Sequence, residues 1–372
     1  MILKNASFEE FEKKIKSKGK KVIVYGSGMI GQILAPYIFN TYNLDQYVDC
    51  YVDQDVRKLG TIVDLYTKQV RIESLNKLTD TKSDYVLIIT NSHFFSIIEQ
   101  LDNITQLNDI EAYILPIMQL TSKNSSVNEH VVHISQEPLI PKVIHYCWFS
   151  GNPMPDKLQK CLSSWKKYCP DYEIIRWDEN NYDVNKTFYT KQAYENKKWG
   201  FIPDIARLEI LYKYGGIYLD TDVELIRNLD DLLYVPGFCG VEKWATVNFG
   251  GCSASIKGNP VIKDILDKRI FEPFQYEDGT LNLKTCGIYE TLPLIERGFK
   301  ANDKTQIIDS LVVYSSDFFH PADYISGQVK ITDNTFSIHH FDGGWIDEAN
   351  LQERKATQEK YCNILQRMEM IL

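Results

Sequence analysis

Four charged residues close together in the chain, Asp204, Arg207, Asp220 and Asp222, have the types and spacing to grip a metal ion and a diphosphate. Asp220 and Asp222 stand two apart at the end of the apolar run Ile217-Tyr218-Leu219, so their side chains project to the same side of an extended backbone. Paired carboxylates are hard oxygen ligands suited to Mg²⁺ or Mn²⁺. Asp204 and Arg207 stand three apart, which makes them neighbours on one side of a helix. A guanidinium matches phosphate geometry with two parallel hydrogen bonds, which a lysine does not. A held cation and a fixed guanidinium together would stabilise charge developing on a departing phosphate.

The elements that must position these groups are legible around them. Pro203 suits the first turn of a helix, where a missing N–H costs nothing. Ala206, Ile210, Leu211 and Tyr214 recur at helical spacing and predict a buried face. Gly215-Gly216 supplies the positive φ that ends the helix, and Ile217-Tyr218-Leu219 predicts a short buried strand. Taken alone, each piece has a plainer meaning. Asp204 and Arg207 read equally as a surface ion pair, and Asp220-Thr221-Asp222 as a turn closing a strand. Asp53-Gln54-Asp55 satisfies the same triplet, so the carboxylate doublet carries meaning only with its helix and glycine pair.

The chain of 372 residues is long enough for two domains, each with a core. At 44% hydrophobic and 24% charged it is ordinary globular protein, and a net charge of −9 gives no broad reason to bind nucleic acid. Eight cysteines without a C-x-x-C pair fit reduced thiols. The amino terminus lacks a signal-peptide core, and no apolar run reaches the roughly 20 residues of a membrane span, so the expected location is the cytoplasm.

Residues 1–125 predict a small Rossmann-like parallel α/β domain. Its signature is the strand Lys21-Val-Ile-Val-Tyr25 leading into Gly26-x-Gly28-x-x-Gly31, with the strand Val48–Val52 closed by Asp53. Gly26, Gly28, Gly31 and Asp53 are the residues a dinucleotide would use there, although such a loop also occurs where it only packs. The polar stretch Thr121–Asn128 marks a linker, placing the boundary between about 120 and 138. The second domain runs over 138–372 and ends in a helix from Leu351. That helix carries Tyr361, Ile364, Leu365, Met368 and Ile371 on one face, expected to dock on its parent domain.

Four pieces occur in order between Ile140 and Ile346: Ile140-Pro-Lys-Val-Ile-His145 with Trp148; the turn and strand Pro170–Trp177; Asp204-x-x-Arg207 ahead of Gly215-Gly216-Ile-Tyr-Leu-Asp-Thr-Asp222; and His339-His340 with Trp345. Together they resemble the DXD-containing glycosyltransferases of family 32, related to α-mannosyltransferases and capsular polysaccharide transferases and, more distantly, to the catalytic domains of glucosylating toxins. The resemblance implies a GT-A-like mixed-sheet domain behind the Rossmann-like one, and transfer with retention of configuration. It implies Mn²⁺ or Mg²⁺ as cofactor and a nucleotide-sugar donor, UDP-hexose above others. The acceptor would be a growing polysaccharide or glycoprotein glycan, lipid-linked acceptors included, with at most peripheral contact at the inner membrane face. Trp148 would lie beside the base. Asp204 and Arg207 would hold the sugar and diphosphate, with Tyr218 and Trp345 added to the nucleotide-sugar set. Asp220 would meet ribose, sugar or metal, and Asp222 the metal directly. The sequence Phe341-Asp-Gly-Gly-Trp345 departs from the Ser-Trp ending common in relatives, and leaves the carboxy-terminal metal ligand between His340, which is favoured, and His339. His145 reads as a structural hydrogen-bonder, and Asn248 and Gly250-Gly251 as a border of the acceptor cleft by position alone. The rival readings are an NAD-dependent oxidoreductase acting through the Gly26–Gly31 loop and a non-catalytic sugar-nucleotide sensor.

Overall fold

The computed structural model describes the chain apart from residues 81–83, 92–93, 123–128, 244–245, 324–327, 342–347 and 369–372. The chain divides into two compact units. One comprises Met1–Ser126, Lys300–Asn302 and Glu353–Leu372, the other Val127–Phe299 and Asp303–Gln352.

The first unit is built on seven strands: β1 (Ile2–Leu3), β2 (Lys21–Tyr25), β3 (Val48–Val52), β4 (Ile62–Asp64), β5 (Gln69–Glu73), β6 (Tyr85–Ile89) and β7 (Glu111–Ile114). Their order is β1-β7-β6-β2-β3-β5-β4, parallel throughout except for the antiparallel edge pair β4–β5. Central strands such as Val86–Ile89 are fully buried, as the unbroken apolar runs require of a parallel sheet covered on both faces. The helix Phe8–Lys18 starts in a capping box, with Ser7 and Glu10 each satisfying the other's backbone N–H.

The helix Glu348–Arg367 brings a correction. The sequence reading puts it with the second domain, but its contacts from Glu353 onward lie with the first unit. Tyr361 packs 6.2 and 6.4 Å from Phe94 and Phe95, Arg367 bonds Asp102, and Lys360 bonds Glu99. An apolar helical stripe specifies that a partner face exists, not which domain provides it.

The second unit holds β8 (Val143–Cys147), β9 (Glu173–Trp177), β10 (Gly216–Tyr218), β11 (Val223–Leu225), β12 (Gly237–Val241), β13 (Val247–Asn248), β14 (Ser253–Ser255), β15 (Gln306–Ile308), β16 (Leu311–Tyr314) and β17 (Ser337–His339). Eight form a mixed sheet in the order β15-β16-β12-β14-β10-β8-β9, with β13 on β12, while β11 and β17 make a separate antiparallel ribbon. Strands β10, β8 and β9 run parallel, so their carboxyl ends open on one side. That is where the charged residues collect.

Candidate functional site

The helix Pro203–Tyr214 begins with proline in its first turn and is buried from Asp204 to Leu211. It is no surface helix, and Asp204 and Arg207 are no surface ion pair: their side chains are 8% and 3% exposed. Only Tyr214, expected on the buried face, is half-exposed at the far end. Gly215 and Gly216 both have positive φ, at 73° and 94°, where a side chain would be strained. A Cβ on Gly216 would also lie 2.8 Å from the Val143 carbonyl and 2.9 Å from His145 Nε2. His145 uses that nitrogen to donate to the Gly215 carbonyl at 3.0 Å, and its Nδ1 accepts from Trp177 Nε1 at 3.1 Å. Burial pushes its pKa down to about 4, so it is a neutral structural imidazole that pins the helix end to the sheet.

Past β10 the chain turns outward and delivers the carboxylates. Asp220 is anchored by its N–H to the Gly250 carbonyl at 2.8 Å, and its Oδ1 accepts from the buried Tyr218 hydroxyl at 3.0 Å. Arg207 Nη2 reaches Asp204 Oδ1 at 3.2 Å and Asp220 Oδ2 at 3.3 Å, and its Nη1 lies 3.6 Å from Glu290 Oε1. Burial opposes the charge on Arg207, but Asp220 and the other anions around it outweigh that and raise its pKa. Burial likewise pushes Asp204 up, with Arg207 and Arg269 pulling it back.

Asp220, Asp222 and His339 each present a ligand atom, all within 4.8 Å of one another. Strand β17 pairs antiparallel with β11 and sets His339 opposite Val223, which brings His339 Nε2 to 3.3 Å from Asp222 Oδ1. Burial works against protonating His339, yet Asp222 beside it prevails and raises its pKa. His340, the ligand favoured from sequence, is corrected here. It points to the other side of the strand, where its Nε2 meets Glu224 Oε2 at 2.9 Å. Neighbours in a strand face opposite ways, so the doublet turns one imidazole to Asp222 and the other to Glu224. Two carboxylate oxygens and an imidazole nitrogen fit a borderline cation such as Mn²⁺. The buried Nδ1 of His339 has no hydrogen-bond partner among the described residues.

The wall facing these groups comes from residues the sequence reading missed or could not argue. Glu290 is 1% exposed, accepts from the Phe249 N–H at 2.8 Å, and is pushed up to about 8 by burial against the pull of Arg207. Asn248 Oδ1 gathers the N–H groups of Gly250 and Gly251 at 2.6 and 3.2 Å. A Cβ on Gly250 would fall 2.0 Å from Asp220 Oδ2, and one on Gly251 1.9 Å from His320 Cε1. Glu290 lies far away in sequence, and nothing local marks it. The Asn-Phe-Gly-Gly run was the one available signal.

Trp148 lies one residue past β8, half-buried, with its Nε1 donating to the Asn152 carbonyl at 2.8 Å. Because Tyr218 is in register with His145 on β8, Trp148 reaches the same carboxyl end of the sheet as Asp220. Trp345 lies outside the described residues. In the first unit, Gly31 is needed for closeness, since a Cβ there would meet the Gly26 carbonyl at 2.0 Å. Gly28 faces open space. The Asp53 carboxylate, which a dinucleotide ribose would need, accepts from the Ser27 N–H at 2.8 Å, its hydroxyl at 2.5 Å and Lys58 Nζ at 3.1 Å.

Residues 155–236, which carry Asp204, Arg207, Asp220 and Asp222, match the glycosyltransferase sugar-binding region containing the DXD motif. Over this segment the chain is similar to the DXD-containing glycosyltransferases. Residues 4–117 match the C-methyltransferase C-terminal domain. Inositol phosphoceramide mannosyltransferase 3 of Schizosaccharomyces pombe is 36% identical over 124 residues, covering 31% of this chain and 33% of that protein. Subversion of eukaryotic traffic protein A of Legionella pneumophila is 28% identical over 170 residues, covering 37% of this chain and 26% of that protein. The chain thus spans a third or less of the length of these two curated relatives. Among solved structures, the PaToxG glycosyltransferase aligns at 25% identity and a TM-score of 0.34, over 43% of this chain and 69% of its own. The mixed sheet with a DXD turn at the carboxyl end of β10 is GT-A-like, as the resemblance implied.

Proposed function

We propose that the second unit is a divalent-cation-dependent, retaining glycosyltransferase that moves a hexose from a nucleoside diphosphate to a hydroxyl of a glycan or lipid-linked acceptor. The observation that carries this reading is the meeting of Asp220, Asp222 and His339 within 4.8 Å beside the Arg207 guanidinium. A cation held there would neutralise charge on the leaving diphosphate as a Lewis acid. Arg207, held between Asp204, Asp220 and Glu290, would donate to a phosphate oxygen with little reorganisation. Asp204 offers carboxylate oxygens to sugar hydroxyls. In a same-face transfer the departing phosphate oxygen takes the acceptor's proton, and no protein base is required.

The resemblance favours UDP-linked glucose, galactose or their N-acetyl forms as donor, and the name of the yeast relative adds mannose to the class. No helix among the described residues is long and apolar enough to cross a membrane, which fits an enzyme meeting a lipid-linked acceptor at the cytoplasmic face. The test is a panel of UDP- and GDP-sugars assayed for Mn²⁺-dependent hydrolysis. Asp222→Asn is expected to abolish the release of free hexose while leaving the melting temperature close to wild type. Full hydrolysis by that variant would overturn the assignment.

A further inference from the structure

Arg269 closes the helix Pro260–Arg269 and is 2% exposed. Its guanidinium lies between two aromatic faces, with Cζ 3.9 Å from the Tyr189 ring centre and 3.8 Å from that of Tyr289. Both faces of the cation are thereby satisfied, but its edge is not: Nη1 and Nη2 are buried without a hydrogen-bond partner among the described residues. A buried guanidinium with no acceptor for its terminal nitrogens is costly unless its charge is used. The neighbouring cluster has a use for it. Among the described residues Arg207 is the one cation within 4 Å of Asp204, Asp220 and Glu290, one cation to three carboxyls. Tyr189 links the two sets, stacking on Arg269 while its hydroxyl donates to Asp204 Oδ2 at 3.5 Å. The Tyr289 ring is fixed in turn by its hydroxyl, which accepts from Asn282 Nδ2 at 2.9 Å.

We infer that Arg269 is a positioning residue for Asp204, its clamped charge fixing that carboxylate for the hydroxyls of the donor sugar. The inference rests on the reading of Asp204 as a donor-sugar residue. The groups facing Asp204 are Arg207 on its own helix, Asp220 beyond β10, Tyr189 on the helix Phe188–Glu195, Arg269 itself, and Cys286 and Glu290 on the helix Cys286–Glu296. Among the described residues no ion pair within 4 Å joins Arg269 to any of these carboxyls; its charge lies behind the Tyr189 ring that touches Asp204 and favours the ionised carboxylate. Its removal would therefore favour the protonated form of Asp204.

The test uses the full chain with Mn²⁺ and whichever of UDP-glucose, UDP-galactose or GDP-mannose the wild type hydrolyses. Arg269→Gln is expected to raise KM for the nucleotide sugar by about tenfold, while affinity for the free nucleoside diphosphate stays within about twofold. The acidic limb of its kcat/KM profile should move to higher pH, and Arg269→Lys should restore most of both effects. Should Arg269→Gln fail to fold, Tyr289→Leu, which loosens the clamp but keeps the charge, is expected to raise KM less while again sparing the diphosphate. An unchanged KM, an equal loss of diphosphate affinity, or no rescue by lysine would overturn the inference and leave the transfer reading standing. A wild type that hydrolyses no nucleotide sugar would overturn both.

Discussion

At the scale of single residues, the site is decided by which atoms a backbone can bring together. The doublet His339-His340 was legible as a source of one metal ligand, because the resemblance implies a carboxy-terminal ligand at that point of the chain. Which of them serves depends on which face of β17 turns toward Asp222, and that is set by pairing with β11, a contact no local pattern encodes. Glycines 250 and 251 are the complementary case, present in the sequence without an argument until Asp220 and His320 are seen against them. Gly250→Ala should push the Asp220 carboxylate off its place and lower hydrolysis of a nucleotide sugar at least tenfold, with a stability loss of about 1–3 kcal/mol. Turnover assayed beside thermal melting checks this, and an alanine variant with wild-type turnover would show that the glycine only packs. Glu290 could not have been found from sequence. Its burial and its contact with Arg207 are both products of tertiary packing.

Among elements, the helix Pro203–Tyr214 was the most legible part of the molecule, since proline, apolar spacing and the glycine pair all agreed. Its depth of burial was not, because the ion pair Asp204–Arg207 has the same spacing on a surface helix. The helix end is locked by His145, whose neutral form is required by the Trp177 hydrogen bond to Nδ1. A pH dependence follows. Below the ordinary histidine pKa of 6.5 the unfolded chain binds a proton that the folded chain, at about 4, refuses. The stabilisation is therefore complete above pH 6.5 and is lost as pH falls toward 4, by up to about 3 kcal/mol. Chemical denaturation across that range should show the decline in wild type and a flatter profile in His145→Gln. Equal slopes would contradict the lock.

For the whole molecule, Asp204, Arg207, Asp220, Asp222, Glu290 and His339 all lie in the second unit. The alternation of strands and helices revealed the first unit's parallel sheet, but the return of the carboxy-terminal helix to it was hidden, since docking across such a sequence distance leaves no local mark. Tyr361→Ala removes a ring that is 1% exposed between Phe94 and Phe95. It should cost about 3–5 kcal/mol in the first unit while leaving nucleotide-sugar hydrolysis within about twofold. Hydrogen exchange resolved by segment would read the first effect and a hydrolysis assay the second. A comparable loss of hydrolysis would mean that the units do not work separately.

The central claim is that Asp220, Asp222 and His339 form one cation site, and Mn²⁺ binding followed by electron paramagnetic resonance tests it most directly. Titration of wild type, Asp222→Asn, His339→Ala and His340→Ala in the presence of a nucleoside diphosphate should show tight binding in wild type and His340→Ala and its loss in the other two. Undiminished binding in His339→Ala, or its loss in His340→Ala, would contradict the account.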